Sequence, residues 1–372
     1  MTQHAVFATD TITDPYSGGE PPRTSNRILN YRRLQNWENY FLASAICSVA
    51  VAVGADEEQL KTIGNDKVAN GFHYFSAITG DMFCVLYSAD KPCDSGLTNY
   101  FFMPQVIKRA FAAFGHDCIY LSNAQIKKDF RTAMNAIKAS IDRDVPVLSW
   151  GMGNVTAYDW HGDMPEGCLI GGYDGDLLYV NLYPGPERME VDSDGYSGIS
   201  GGLDGVKGLF FVGDPIEKPE PKEIYNQAIM GIPEILSMPP AEGYYFGQAA
   251  CEKWADILLE ESRYAGKTND ELSGICWEVH LSPYCNITTS AGLTYIRAAA
   301  EVYDIDIAKK LLPLYEQFTR LRKEIWELHG VYDNSDFFPP MDKFRTQEYR
   351  IKVAEILRQM GGVCAEILRA FD

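Results

Sequence analysis

His161, Glu166 and Cys168 lie in one short stretch, and their side chains could do chemistry. A cysteine and a histidine brought together form a thiol–imidazole pair, the nucleophile and base of acyl transfer and amide hydrolysis. Glu166 and Cys168 are two positions apart, so on an extended strand they share a side. His161 precedes them in a polar stretch between Asp159 and Asp163, and a loop there would carry it towards Cys168. Glu166 has chemistry of its own. A carboxylate opening a buried strand is costly unless paired, and such a group serves as a general base with a raised pKa or binds an amine. The plainer readings are a solvated loop histidine and a rim carboxylate in water.

Other patterns are weaker. Cys276, His280 and Cys285 are spaced C-x3-H-x4-C, but structural zinc takes four protein ligands and no fourth stands nearby. Asp192, Asp194 and Gly195 open like a calcium loop, yet Leu203 holds the position of the closing glutamate. The glycine-rich run from Gly195 to Gly208 lacks the Lys-Ser/Thr of a phosphate loop. No metal and no cofactor is expected.

The elements that must position these residues divide the chain in two. In the first half Leu34–Val53, Pro104–Phe114 and Lys127–Ile141 read as helices, the first two closed by Gly54 and Gly115. Val145–Trp150, Cys168–Tyr173, Leu177–Leu182 and Gly208–Val212 read as strands. Asp174-Gly175-Asp176 joins the middle two as a hairpin. Helices followed by antiparallel strands define an α+β domain. The Pro-rich, charged stretch after Gly213 reads as a linker. The remainder, with long helices at Gly243–Tyr264, Asn286–Tyr303, Asp306–Gly330 and Lys343–Phe371, reads as an all-α bundle. Pro313 predicts a kink in the third of these, or a later start. The expected organisation is an extension over 1–27, an α+β domain over 28–214, a linker over 215–224 and a helical domain over 225–372.

A formal net charge of −18 argues against nucleic acid and anionic membrane as partners. The N-terminus lacks the apolar run of a secretory signal. No stretch reaches the roughly 20 apolar residues of a membrane helix. The 9 cysteines are an odd count, which suits free thiols in a reducing cytoplasm.

Asn36–Gly54, GFHYFSAITGDMFCVLY (71–87), SIDRDVPVLSWG with EGCLIGGYDGDLLYVNLY (140–183) and GQAACEKWADILL (247–259) together resemble one family. It is the group typified by butirosin biosynthesis protein H, whose N-terminal domain is related to papain-like cysteine peptidases and bacteriocin-leader peptidases and is followed by a helical domain. A divergent bacterial branch, with a Ser/Thr-Gly-x-x-Phe stretch after the first helix, is more similar still; here that stretch is Thr79, Gly80 and Phe83. The resemblance implies acyl chemistry by a cysteine and a histidine, with an acid orienting the histidine. The cysteine belongs at the start of the first helix, where Gln35-Asn36-Trp37-Glu38 stands instead. Glu166 takes the histidine's place, and Asn181-Leu182 the acid's. Cys47 lies about three turns into the helix, beyond the reach of its N-terminal dipole, and reads as a buried apolar group.

Two functions follow as expectations. One is a small-molecule or peptide binder on a papain-like scaffold without its triad, with Asn36, Trp37, Tyr74, Gly80 and Asn181 lining the cleft. The other is an acyltransferase or amide hydrolase using Glu166, Cys168 and His161. The helical domain, with Trp254, Trp277 and Trp326, offers a face for homodimerisation or simply a core.

Overall fold

A computed structural model describes residues 10–17, 19–30, 41–55, 71–91, 93, 96–101, 103–150, 167–181, 196–199, 203, 206–287, 289–330 and 339–372. Asn36, Trp37, His161 and Glu166 lie outside them.

In chain order the first elements are β1 (Ser25–Arg27), α1 (Phe41–Ala52), α2 (Gly71–Thr79), a 3-10 turn (Asp81–Phe83), β2 (Leu86–Tyr87), α3 (Leu97–Tyr100), α4 (Pro104–Ala113) and β3 (His116–Ser122). Next come α5 (Asn123–Lys128), α6 (Phe130–Ile141), β4 (Val147–Trp150), β5 (Gly167–Asp174), β6 (Leu177–Asn181), β7 (Ser197–Ile199) and β8 (Gly208–Pro215). The rest is helical apart from β9 (Tyr245–Phe246): α7 (Pro221–Met230), α8 (Ile232–Leu236), α9 (Gly247–Leu259), α10 (Asn269–Cys276), a π-helical turn (Trp277–Leu281), α11 (Ser282–Asn286), α12 (Thr289–Glu301), α13 (Asp306–His329), α14 (Met341–Arg345) and α15 (Gln347–Arg369).

The chain forms two compact units. A sheet unit holds the described residues up to 61 with Gly71–Thr79 and Thr98–Glu220, and a helical unit holds those of Gly80–Leu97 and Pro221–Asp372. Among the described residues the chain passes between the units at 79/80, 97/98 and 220/221, the last of these within the expected linker over 215–224. Residues 80–97 join the helical unit, where β2 pairs with β9, Leu86 opposite Phe246. The described residues of the expected extension over 1–27 belong to the sheet unit. β1 pairs with β5, the Asp10 carboxylate accepts from the Tyr120 amide at 2.8 Å, and the Tyr16 hydroxyl donates to Asp142 at 3.0 Å.

The sheet is antiparallel in every described ladder, in the order β3-β8-β4-β5-β6-β7, with β1 beside the second half of β5. Side chains alternate between faces. Val147, Ile170, Val180 and Leu209 pack with Met134, Ile137 and Ile141 of α6 in one apolar core. Leu148 is paired with Leu169 on one side and Phe210 on the other, and these three take the opposite face. There α1 lies on β4 and β5, α4 lies on β3, and α2 packs on α1 and α4.

Local chemistry explains several boundaries. Ser122 and Gln125 form a capping box that starts α5. The β5–β6 hairpin turns at Gly175 and Asp176, between paired Asp174 and Leu177, and Gly175 has φ 56°. A glycine with positive φ in the first central position is what a two-residue hairpin turn of the II′ kind requires. A bulge between Ile170 and Gly172 interrupts the same pair. A Cβ on Gly171 would collide with the Tyr196 hydroxyl, which donates to the Ile28 carbonyl at 2.7 Å.

In the helical unit α9 packs on α15, and α13 on α12 and α15. Gly361 lets α15 approach α9: a Cβ there would lie 3.2 Å from that of Cys251. Pro313 leaves α13 continuous from Asp306 to His329, so the expected later start does not occur. Gly247, at the start of α9, has φ 53°, and a Cβ on it would run into the Leu236 carbonyl oxygen. Gly247→Ala is therefore expected to destabilise the helical unit by about 2–4 kcal/mol. Gly274, in α10, supplies the contrast, since a Cβ added there would meet nothing within 4 Å. Gly274→Ala should stabilise by about 0.5–1 kcal/mol. Urea unfolding of both variants checks the pair, and a destabilising Gly274→Ala would show that packing rather than backbone freedom controls these sites.

Candidate functional site

The described part of the expected cleft lies where β4 and β5 run beneath α1. Cys168 stands opposite Ser149 in the β4–β5 ladder, and Leu169 stands opposite both Leu148 and Asn181. Positions 168 and 181 therefore belong to opposite faces of the sheet. Asn181 takes the face on which α1 lies, and is 6 % exposed. Asn181 thus sits where an orienting residue for a group on the α1 side would sit, while position 168 belongs to the α6 side.

Tyr74 is buried in α2, a helix whose nine residues are all buried. Its neighbour His73 is buried as well, with its ring 5.1 Å from Phe72 and its Nδ1 without a hydrogen-bond partner. Burial lowers the His73 imidazole to about 4. Gly80 belongs to the helical unit, has φ 89°, and its missing Cβ leaves room for the Ile235 side chain. Its role there is a close approach within the helical core. Cys47 is fully buried in α1. Burial also pushes the thiols of Cys84, Cys118 and Cys276 well above the ordinary cysteine range.

The helical unit holds a polar cluster that sequence reasoning did not assemble. His280, on the π-helical turn, meets His329, in the last turn of α13, with Nε2 to Nε2 at 2.9 Å. The Tyr349 hydroxyl, in the first turn of α15, lies 3.4 Å from the same nitrogen of His280. Both histidines are fully buried, and neither Nδ1 has a partner. Rings enclose the pair: Trp254 and Phe344 around His280, Tyr284 and Trp326 around His329. Burial, and then the neighbouring imidazole, hold His280 well below its ordinary pKa. Burial, followed by the cations of Lys343 and Arg322, lowers His329 to about 4. Both rings are neutral at physiological pH, one donating and one accepting.

The zinc-like spacing of Cys276, His280 and Cys285 dissolves in three dimensions. His280 turns to His329, and among the described residues no three His, Cys, Asp or Glu side chains are grouped to hold a metal ion. His329 was legible as buried, because it continues the apolar stripe Phe318, Leu321 and Ile325 of α13. Trp254 is core, stacked on Tyr87 at 5.8 Å, whereas Trp277 and Trp326 are half-buried. Among the described residues no helix is long and apolar enough to cross a membrane.

No protein-family model matches the chain, and no curated protein sequence matches it.

Proposed function

We propose that the sheet unit is a divergent papain-like scaffold that binds a small molecule or peptide without a cysteine nucleophile, in the cytoplasm. The observation that supports this most is Cys47. It is the cysteine of the first helix, and it is buried in the layer of α1, α2 and α4 rather than placed at a helix start. A thiol serves as nucleophile when a helix N-terminus or an imidazolium lowers its pKa, and burial shifts the thiols of Cys84, Cys118 and Cys276 the other way. The papain-like assignment itself draws support from the order of elements and from α1 lying against β4 and β5. Asn181 and Tyr74 bring polar atoms to the layer on that face, a combination suited to holding a ligand. Asn36, Trp37 and Glu166, which the sequence assigns to the same cleft, lie outside the described residues.

Iodoacetamide labelling at neutral pH, read by mass spectrometry, tests the proposal. Slow modification at half-buried Cys285 and inert remaining thiols are the expected result. Fast, selective labelling of Cys168 would instead support acyl transfer or amide hydrolysis by Cys168 and His161. A hydrolytic activity lost in Glu166→Gln with unreactive thiols would point to the carboxylate as base.

A further inference from the structure

We propose that the His280–His329 pair is an acid-operated latch, which holds the π-helical turn, the end of α13 and the start of α15 together until a second proton enters the pair. The argument is one of proton positions. In the neutral pair one Nε2–H points at the lone pair of the other Nε2, 2.9 Å away. Each ring keeps an Nδ1 that bonds to nothing. The first added proton goes to the lone pair on the Nδ1 of the donating ring. The bond between the rings survives and becomes charge-assisted. The second added proton has one place left, the accepting Nε2 itself. Two N–H groups on two cations would then face each other at hydrogen-bond distance, so the contact must open.

Among the described residues of the surrounding elements, none offsets that charge. The titratable and charged groups near the pair are Cys276 of α10, Tyr284 of α11, Arg322 of α13, Lys343 of α14 and Tyr349 of α15. α9 presents Trp254. Among the described residues no carboxylate is in this group, and both nearby cations oppose protonation. Lys343 is itself fixed, donating to the Leu328 carbonyl one residue before His329. The π-helical turn that carries His280 is an irregular segment of the kind that marks functional positions in helices. Opening the latch separates His280 from Trp254 and His329 from Trp326, so tryptophan emission reports it directly.

The test is an acid titration of the full chain from pH 8 to pH 4, followed by tryptophan fluorescence and by 15N NMR of histidine-labelled protein. The expected result is a red shift below about pH 5 that is linked to the uptake of about two protons. Besides His73, which belongs to the sheet unit, two histidine rings should keep neutral tautomers down to that transition and charge within it. In His329→Phe the linkage should fall to about one proton. An unchanged two-proton dependence in that variant overturns the proposal. If the variant fails to fold, the NMR of the native sequence decides alone. Two buried rings that both become imidazolium with no change in tryptophan emission would equally overturn the latch.

Discussion

Arg350→Met is expected to lower the stability of the helical unit by about 3–5 kcal/mol, the cost of leaving several buried carbonyls without a donor. Arg350 is 0 % exposed. Its Nε donates to the Leu258 carbonyl at 3.0 Å, and its Nη1 to the carbonyls of Phe344 at 3.0 Å and Arg345 at 2.5 Å. Its Nη2 pairs with Glu261, and the guanidinium lies 4.0 Å from the centre of the Tyr264 ring. One side chain thus binds the end of α9, the end of α14 and the 3-10 turn that follows α9 (Glu261–Arg263) to α15. Glu261 is half-exposed and rehydrates when its partner leaves, so the surface ion pair contributes little of the loss. The loss arises from carbonyls at two helix ends that no longer receive a donor, each worth about 1–3 kcal/mol when buried. Arg350→Lys should recover only part of it, since an ammonium cannot reproduce the planar fork that meets three carbonyls. Urea unfolding followed by far-UV circular dichroism measures both variants. A loss below about 1 kcal/mol for methionine would mean that water enters and takes over the donor role.

The second large effect is a loss of stability in acid. His73 and His329 are each lowered from an ordinary 6.5 to about 4. A histidine depressed in the folded state is neutral there while the unfolded chain takes up its proton. The stability it confers is complete above about pH 6.5 and declines as the pH falls towards the folded pKa. Over the interval from 6.5 to about pH 5, each contributes a loss of about 2 kcal/mol, so the two together remove about 4 kcal/mol. His280 adds to this in the same direction. Urea midpoints at pH 8 and pH 5 measure the difference. His73→Phe should remove about half of the slope that these two residues produce, and an unaltered slope would show that His73 is accessible to protons in the folded state.

Much of the architecture follows from short-range signals. The Asp174-Gly175-Asp176 stretch set the β5–β6 hairpin, Gly54 and Gly115 set helix ends with φ of 89° and 87°, and the helical spacing of Phe130, Met134, Ile137 and Ile141 marked one side of α6, of which the last three are buried and Phe130 is exposed. These depend on neighbours within a turn or two, so residue type and spacing carry the information. His116–Ser122 lacked such a signal: its polar and apolar residues show no clean alternation, and it became β3 through its ladder with β8.

The sequence by itself thus determined the α+β then all-α order, the helix stops and the buried stripes, because backbone preference and apolar periodicity act locally. Tertiary structure alone decided that residues 80–97 leave the sheet unit to pair with Tyr245–Phe246. It alone placed Asn181 and position 168 on opposite faces, a consequence of register, and register depends on which residues across the sheet find partners. The chemistry shows the same division. His161, Glu166 and Cys168 drew attention because they are close in sequence, whereas His280 and His329 meet across 49 positions. His329 continues the buried stripe of α13, but its partner was set by tertiary packing alone.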